Sequence, residues 1–365
     1  MEKIGFLDLK EQNQQVKAEI FAAFQKVFEK TAFSGGPFVQ EFEENFANYT
    51  GAKYAVALSS GTDAVHLMCI AAGIEEGDEV IIPANTFIAS PWGVVYEKAI
   101  PVFVDCDSDT WEIDPAKIEA AITPKTKAIM GVHLYGQPFN RDAVKAIADK
   151  HNLLLLEDAA QAHGAYYKGE SLGKGAFMAG YSFYPGKNLG ATGEGGAIVT
   201  NDENIYNHLL SLRNHGSKEK YYHDIIGYNY RMGGLEGAAL NIKLKYLDEW
   251  NNKRRAIAKR FFTEINNPKV KMQTQLDFAN SVYHLFVVTV EDREAFVKHL
   301  NTHNIFPGMH YPVPCHLQKA FGHLGYKHGD FTNSEYLAEH CVSLPMYAEL
   351  TRNKVDRIIE AVNTY

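Results

Sequence analysis

The sequence is poor in cysteine, and its cysteines are widely scattered. Only four occur among 365 residues, and they are Cys69, Cys106, Cys315 and Cys341. No two of them form a Cys-X-X-Cys pair, so the spacing indicates neither a disulfide framework nor a cysteine-based zinc site. We therefore expect buried, reduced thiols and no bound metal.

A strongly basic surface and a long apolar run are also missing. The formal net charge is −8, with acidic and basic residues interspersed, which argues against nucleic-acid binding. No apolar stretch reaches the roughly 20 residues that span a bilayer. The segment Met1–Gly5 lacks the apolar character of a cleavable signal. We expect a cytoplasmic protein that binds neither nucleic acid nor membrane.

What is present is the rhythm of an α/β protein. Short apolar runs alternate with helical patterns between about residues 54 and 200, and these runs are Tyr54–Leu58, Val80–Ile82, Val102–Val104, Ala128–Met130, Leu153–Leu156 and Ala197–Val199. Because they lack polar alternation, they predict a mostly parallel sheet with helices on both faces. A long helical stretch, Leu235–Phe262, follows, and the pattern then changes. We predict a large domain over residues 1–245 and a smaller one over 246–365.

Two residues, Lys187 and Asp158, carry the strongest chemical signal. Lys187 follows a Pro-Gly turn, and Asp158 lies at the end of an apolar strand pattern. Taken singly, they read as a solvated loop lysine and a helix-capping aspartate. Together they match pyridoxal phosphate (PLP), since a lysine amine condenses with its aldehyde and a buried aspartate keeps its pyridine nitrogen protonated. The pair therefore favours a PLP site.

The segments around this pair resemble the DegT/DnrJ/EryC1 family of sugar-nucleotide aminotransferases. Order and spacing agree over nearly the whole chain, in the segments Gly35–Pro37, Ser59–Ala64, Glu157–Gly164, Phe183–Gly190, Gly193–Gly196 and His310–Pro312. The resemblance implies the aspartate aminotransferase fold, with an α/β/α large domain on a mostly parallel mixed sheet and a smaller α/β C-terminal domain. It also implies PLP as the cofactor and a homodimer with shared active sites.

The resemblance assigns a cofactor-binding role to eight residues: Gly61, Thr62, Phe87, Asp158, Gln161, Ser182, Lys187 and Asn229. Gly61 and Thr62 lie at a strand-to-helix turn, where free N–H groups bind a phosphate, and Ser182 adds a hydroxyl. Phe87 matches the aromatic that stacks on the cofactor ring. Gln161 matches the residue that bonds its ring oxygen, and Asn229 the one that reaches the partner subunit's phosphate.

A second set of residues is assigned to the substrate: His163, Tyr184, Arg231, His310, Tyr311 and His316. The loop from His310 to Pro314 resembles the family branch that aminates the 3-position of a 6-deoxyhexose. It contains no arginine to meet the carboxylate of a uronic acid. His163 fits a structural role equally well, and no carboxylate or cysteine accompanies the loop histidines at the spacing of a metal site.

These features predict a transaminase that moves an amino group from glutamate to a keto group on a nucleotide-linked sugar. The favoured substrate is a thymidine-diphosphate-linked (dTDP-linked) 3-keto-6-deoxyhexose, and Lys187 is the catalytic residue, acting as cofactor anchor, acid and base. Open alternatives are a 4-keto or UDP-linked substrate, a PLP-dependent sugar dehydratase and a non-catalytic PLP-binding regulator. Lysine at position 187 argues against the dehydratase, since related dehydratases carry histidine there. The intact cofactor set argues against the regulator.

Overall fold

The computed structural model describes residues 2–365. Its α-helices are α1 Lys10–Glu29, α2 Pro37–Thr50, α3 Gly61–Ala71, α4 Ala89–Tyr96, α5 Pro115–Ile118, α6 Arg141–Lys150, α7 Glu203–Leu212, α8 Gly234–Leu244, α9 Leu247–Glu264, α10 Arg293–Thr302, α11 Thr332–His340 and α12 Arg352–Asn363. Its strands are β1 Tyr54–Leu58, β2 Glu79–Pro83, β3 Ile100–Val104, β4 Thr126–Val132, β5 Leu154–Asp158, β6 Tyr166–Tyr167, β7 Glu170–Ser171, β8 Met178–Ser182, β9 Gly196–Thr200, β10 Ser217–Glu219, β11 Tyr222–His223, β12 Lys271–Met272, β13 Ala279–Asn280, β14 Phe286–Thr289 and β15 Cys341–Leu344. No helix among these residues combines the length and the hydrophobicity needed to cross a bilayer.

A seven-stranded mixed sheet forms the centre of the fold. Its strand order is β1-β9-β8-β5-β4-β2-β3. Strand β9 runs antiparallel to both of its neighbours, and the other pairs are parallel. The predicted α/β fold class is confirmed. Because β1, β5 and β8 run in the same direction, their carboxyl ends lie at one edge of the sheet, where ligands of such sheets bind.

Helices cover both faces of this sheet, as the apolar runs predict. Successive residues of β1 alternate between two apolar clusters: Ala57 belongs to the cluster of Phe42 and Phe46 from α2, while Val56 belongs to that of Val65 from α3. Burial of both faces explains why the strands read as continuous apolar runs rather than as alternating ones. The sheet is therefore fixed on both sides, and so are the loops at its edges.

The long helical stretch predicted from Leu235 to Phe262 is two helices. Helix α8 ends at Leu244 and α9 begins at Leu247. The two bury different surfaces, since α8 packs on α1 and α2 while Phe261 of α9 enters the core of the C-terminal part. No proline or glycine interrupts the sequence at this break, so the local pattern gives no sign of it.

The C-terminal part has its own antiparallel sheet, of order β12-β14-β15. A separate apolar cluster unites this sheet with α10 and α12. The division into residues 1–245 and 246–365 stays a prediction, and the break between α8 and α9 supports it. The N-terminal segment crosses this division, because Ile4 is bridged to Ile305 and is buried in the C-terminal cluster.

Candidate active site

A cavity of about 500 Å³ opens at the carboxyl edge of the large sheet. Ten of the predicted site residues line it, and they are Gly61, Thr62, Phe87, Asp158, Gln161, Ser182, Tyr184, Lys187, His310 and Tyr311. Most of them follow the carboxyl ends of β1, β2, β5 and β8, and His310 and Tyr311 come from the C-terminal part. The fold thus brings together residues that lie far apart in the sequence. Their assigned roles stay predictions.

The start of α3 forms one end of the cavity. Ser60 caps the helix, and its hydroxyl accepts a hydrogen bond of 3.1 Å from Asp63 N–H. The N–H groups of Gly61 and Thr62 have no hydrogen-bond partner within residues 2–365. A β-carbon on Gly61 would lie 2.4 Å from the β-carbon of Ser182, so only glycine allows this approach. Free N–H groups at a helix start beside a serine hydroxyl suit a phosphate.

Asp158 is 5% exposed and stands at the end of β5. Its Oδ2 accepts a hydrogen bond of 2.7 Å from Ser90 Oγ, and its Oδ1 accepts one of 3.0 Å from Ala160 N–H. Ser90 Oγ lies in turn 2.8 Å from Thr86 Oγ1. These contacts hold a carboxylate in place on the cavity wall, where it can face a cation.

Lys187 lies in the loop after β8, and its side chain enters the same cavity. Within residues 2–365 its amine forms neither an ion pair nor a hydrogen bond. Burial lowers the pKa of Lys187 to about 8, although the Asp158 carboxylate acts in the opposite direction. A sizeable fraction of this amine is therefore neutral near physiological pH, as a nucleophile requires. Lys243, also buried, instead donates to the Gly190 carbonyl at 2.9 Å and supports the loop.

Gln161 and Tyr311 form a connected polar pair on the cavity wall. Gln161 Oε1 accepts a hydrogen bond of 2.7 Å from Tyr135 N–H, and its Nε2 donates one of 3.0 Å to Tyr311 Oη. Tyr311 also packs beside Phe87, with 5.4 Å between ring centroids. Burial raises the pKa of Tyr311 well above its usual value, so this hydroxyl keeps its proton.

Two histidines face the cavity, and sequence reasoning found only one of them. His310 stacks on Phe6 and lies 2.8 Å from Ser343 Oγ through its Nδ1. Burial, followed by the charge of Lys187, lowers the pKa of His310 to about 4. The second is His284, which also lines the cavity. Its sequence gives no sign of a role in the site, because it lies inside the mostly apolar run Val282–Val288.

Four predicted residues lie outside this cavity. His163 is buried behind β8 beside Tyr181 and Phe183, where burial lowers its pKa to about 3. His316 is also buried, and its Nε2 lies 3.0 Å from Glu335 Oε1. Neither residue lines the cavity of its own chain, and their assignment to the substrate stays a prediction.

Asn229 and Arg231 belong to a different surface. Asn229 is exposed, and Arg231 donates a hydrogen bond of 2.6 Å to Asn214 Oδ1 in a separate groove that includes Gly35 and Arg213. This position does not favour contact between either residue and a ligand in the cavity of the same chain.

The donor and acceptor groups of the cavity fit PLP. Unpaired N–H groups and a hydroxyl suit its phosphate, a fixed carboxylate suits its protonated ring nitrogen, and an unpaired amine suits its aldehyde. The family model for DegT/DnrJ/EryC1/StrS aminotransferases matches residues 14–363. The chain belongs to this family. The predicted family, enzyme class and cofactor are thereby confirmed, and this aminotransferase uses PLP.

Named relatives match over almost their full length. The dTDP-3-amino-3,6-dideoxy-alpha-D-galactopyranose transaminase of Aneurinibacillus thermoaerophilus is 46% identical, over 99% of each chain. The dTDP-3-amino-3,4,6-trideoxy-alpha-D-glucose transaminase of Streptomyces venezuelae is 40% identical, over 100% of this chain and 96% of the other. The crystal structure of S. venezuelae DesV in complex with a ketimine intermediate matches with a TM-score of 0.98 and 40% identity, over 100% of this chain and 98% of the other.

Proposed function

We propose that this aminotransferase transfers the amino group of glutamate to the 3-keto group of a dTDP-linked 3-keto-6-deoxyhexose, as a cytoplasmic homodimer. The observation that carries the reaction is that the Lys187 amine and the Asp158 carboxylate open into one cavity. The names of the two dTDP-3-amino-sugar transaminases support the substrate. Four buried free thiols support a reducing compartment.

When bound, PLP supplies an aldehyde that carries the amino group and a ring that draws electrons from the carbon being deprotonated. Asp158 keeps a proton on the ring nitrogen, and Ser90 and Ala160 hold the carboxylate in place for this task. The start of α3 and Ser182 anchor the phosphate. Phe87 and Tyr311 pack beside each other on the wall of the same cavity, where an aromatic face can stack on the cofactor ring.

Lys187 moves the proton in both half-reactions. Its Nζ would take the proton from the α-carbon of glutamate, hold it and release it again, while PLP, when bound, would accept the electrons and the nitrogen. The same atom then moves a proton in the reverse sense and delivers it to C3 of the sugar. A pKa of about 8 suits this exchange, because proton transfer is most effective when the pKa is near the working pH.

The charge balance of the cavity supports a dimer. Lys187 is the one lysine or arginine among the residues that line it. The diphosphate of the sugar nucleotide and the carboxylates of glutamate need further cations. Asn229 and Arg231 lie outside their own cavity, so a second subunit can bring both to the ligands of the first. Each chain would then complete the site of its partner.

Mixing two inactive variants tests the shared site. We expect Asn229→Ala and Lys187→Ala each to impair activity strongly when assayed alone. In a mixed dimer, one site contains both defects and the other contains neither. Random mixing after reversible dissociation is therefore expected to restore about a quarter of the wild-type turnover.

The matched control mixes Lys187→Ala with Asp158→Asn. Both residues line the cavity of one chain, so every site in the mixed dimer keeps a defect and no activity returns. Failure of the Asn229 mixture to recover, or full activity in an isolated monomer, would contradict the shared site while leaving the chemistry of Lys187 untouched.

The position of amination is tested by a direct comparison of substrates. With glutamate as donor, we expect kcat/KM for the dTDP-linked 3-keto-6-deoxyhexose to exceed that for the 4-keto isomer by about a hundredfold or more. Presenting another ring carbon to the same reactive atom turns the nucleotide in a new direction, and about 1 Å of misplacement costs roughly a hundredfold. Preference for the 4-keto sugar would overturn the assigned position and leave the transaminase standing.

Two alternatives rest on the names of other relatives. A protein of Acidithiobacillus ferrooxidans, 37% identical over 98% of this chain, is named UDP-N-acetyl-3-dehydro-alpha-D-glucosamine 3-aminotransferase, which favours a UDP-linked substrate as the second candidate. A protein of Geobacillus stearothermophilus, 41% identical, is named pleiotropic regulatory protein. The unpaired amine of Lys187 argues for catalysis rather than binding alone. Running the same assay with UDP-linked 3-keto sugars decides between the nucleotides, and absence of turnover with all of them would favour the regulator.

A further inference from the structure

A chain of hydrogen bonds runs from the backbone to His284 on the cavity wall. Asn188 is the neighbour of Lys187 and is 1% exposed. Its side-chain nitrogen donates to the Val282 carbonyl at 3.0 Å and to Asn251 Oδ1 at 2.9 Å. Its Oδ1 lies 3.1 Å from Nδ1 of His284. The residue beside the catalytic lysine therefore holds a histidine that faces the same cavity.

This chain of bonds fixes the tautomer of His284. A backbone carbonyl can only accept, so the group of Asn188 that faces Val282 must be its NH₂. The other group, facing His284, is then an oxygen, and Nδ1 of the imidazole must carry the proton. Burial, with the charges of Lys187 and Arg254, lowers the pKa of His284 well below its usual value, so the ring is neutral. Its Nε2 consequently has a free lone pair.

That lone pair is accessible from the cavity. Nε2 of His284 makes no hydrogen bond within residues 2–365. It is also not fully buried, so a ligand atom can reach it. His163 differs, because both of its ring nitrogens are sealed in the core. His284 lines the cavity with Lys187, so Nε2 offers a neutral acceptor to a ligand in that cavity.

We propose that Nε2 of His284 accepts a hydrogen bond from a sugar hydroxyl on a ring carbon adjacent to the one that receives the amine, which makes His284 a specificity-determining residue. This inference rests on the proposed function. A neutral acceptor does not attract carboxylate or phosphate oxygens, which are acceptors themselves. Near Lys187, the hydrogen-bond donors of a keto-sugar nucleotide are its ring hydroxyls.

Which of the two hydroxyls is bound decides whether the enzyme separates two classes of sugar that the relatives distinguish by name. A 3-amino-3,6-dideoxy-galactose keeps oxygen at both C2 and C4, whereas a 3-amino-3,4,6-trideoxy-glucose lacks it at C4. If Nε2 of His284 accepts a hydrogen bond from the C4 hydroxyl, the enzyme selects the first class. If it accepts one from the C2 hydroxyl, the enzyme binds both classes.

The test measures binding of dTDP-linked 3-amino sugars to the PLP-loaded enzyme by calorimetry. The three ligands are the 3-amino-3,6-dideoxy sugar, its 4-deoxy form and its 2-deoxy form. For wild type, we expect removal of one of the two hydroxyls to weaken binding about tenfold. His284→Asn keeps a donor for Asn188 and removes Nε2, so it is expected to bind the full and the deoxy ligand equally. His284→Gln, whose Oε1 replaces Nε2 as an acceptor, is expected to retain the preference.

A second measurement separates this role from a general effect on Lys187. The reaction with glutamate alone, followed by the colour change of the cofactor, is expected to stay within about twofold of wild type in His284→Asn. The exposed His323→Asn is the matched control and is expected to change neither quantity.

Two results would overturn the inference alone: equal dependence on the hydroxyls in His284→Asn and wild type, or an equal loss in the glutamate reaction. Failure of wild type to bind any dTDP-linked 3-amino sugar would instead overturn the proposed substrate, and the inference with it.

Discussion

Replacing Lys187 by alanine is expected to lower transamination by about 10⁴-fold or more, because one amine provides both the covalent anchor and the proton transfer. The remaining groups of the cavity, including Asp158 and the start of α3, still bind PLP without a covalent bond. The expected result is thus a folded protein that holds the cofactor and does not turn over. Turnover with glutamate and the keto-sugar, measured beside the bound PLP, checks this.

Two other lysines give matched controls for this variant. Lys168 and Lys174 are exposed and pair with Asp142 and Glu170 at the surface. Exposed pairs contribute little to stability, so Lys168→Ala and Lys174→Ala are expected to keep wild-type turnover. Wild-type turnover in Lys187→Ala would refute the anchor assignment and make these two lysines the next candidates.

The strands of the large sheet could be predicted where burial on both faces left an uninterrupted apolar run. Strand β8 was not predicted, because Gly180 and Ser182 interrupt its apolar pattern. The structure gives a reason for the glycine. A β-carbon on Gly180 would lie 2.9 Å from Met68 Cε, so the small residue lets α3 pack against the sheet. The glycine that hides this strand in the sequence is therefore the residue that lets α3 pack against it.

Local geometry decided which site residues could be predicted. Gly61 and Asp158 stand at the ends of predicted strands, and a strand-to-helix or strand-to-loop connection is enough to place them at the edge of the sheet. Ser182 ends the strand β8 that was not predicted, so only the family resemblance assigned it a role. Residues of the loop from His310 to His316 depend on tertiary contacts. His310 turns into the cavity while His316 turns toward Glu335, and nothing in a stretch of seven residues distinguishes the two.

His284 is a residue whose role in the site could not be predicted from its local sequence. Its neighbours in sequence indicate a buried strand, and its ring is held by a hydrogen bond to Asn188, which lies 96 positions earlier in the chain. A long-range contact of this kind leaves no periodic pattern in the sequence. Two observations together reveal the role of His284: in the sequence it is a histidine inside an apolar run, and in the structure one of its ring nitrogens is unpaired.

Replacing Asp158 by asparagine is expected to lower turnover by about a hundredfold or more, which is the usual loss when one fixed electrostatic group of an active site is removed. Asparagine has the same shape, its Oδ1 can still accept a hydrogen bond from Ala160 N–H, and its NH₂ group can donate to Ser90 Oγ, so the strand end keeps its structure. It carries no negative charge, however, and the cofactor ring nitrogen loses the partner that keeps it protonated. The measurement is turnover per mole of bound PLP.

The neighbouring Glu157 provides the control for this variant, because strand alternation points it to the other side of β5. It is 1% exposed, and its carboxylate pairs with Arg141 at 2.8 Å and His133 at 3.1 Å. Removing one partner of a buried ion pair costs about 3–5 kcal/mol, so Glu157→Gln is expected to lower the free energy of unfolding and to keep turnover per folded molecule near wild type. Asp158→Asn is expected to keep the free energy of unfolding near wild type and to lower turnover per folded molecule. If Asp158→Asn kept more than about a tenth of the wild-type turnover, the carboxylate would not be the group that controls the electronics of the cofactor ring.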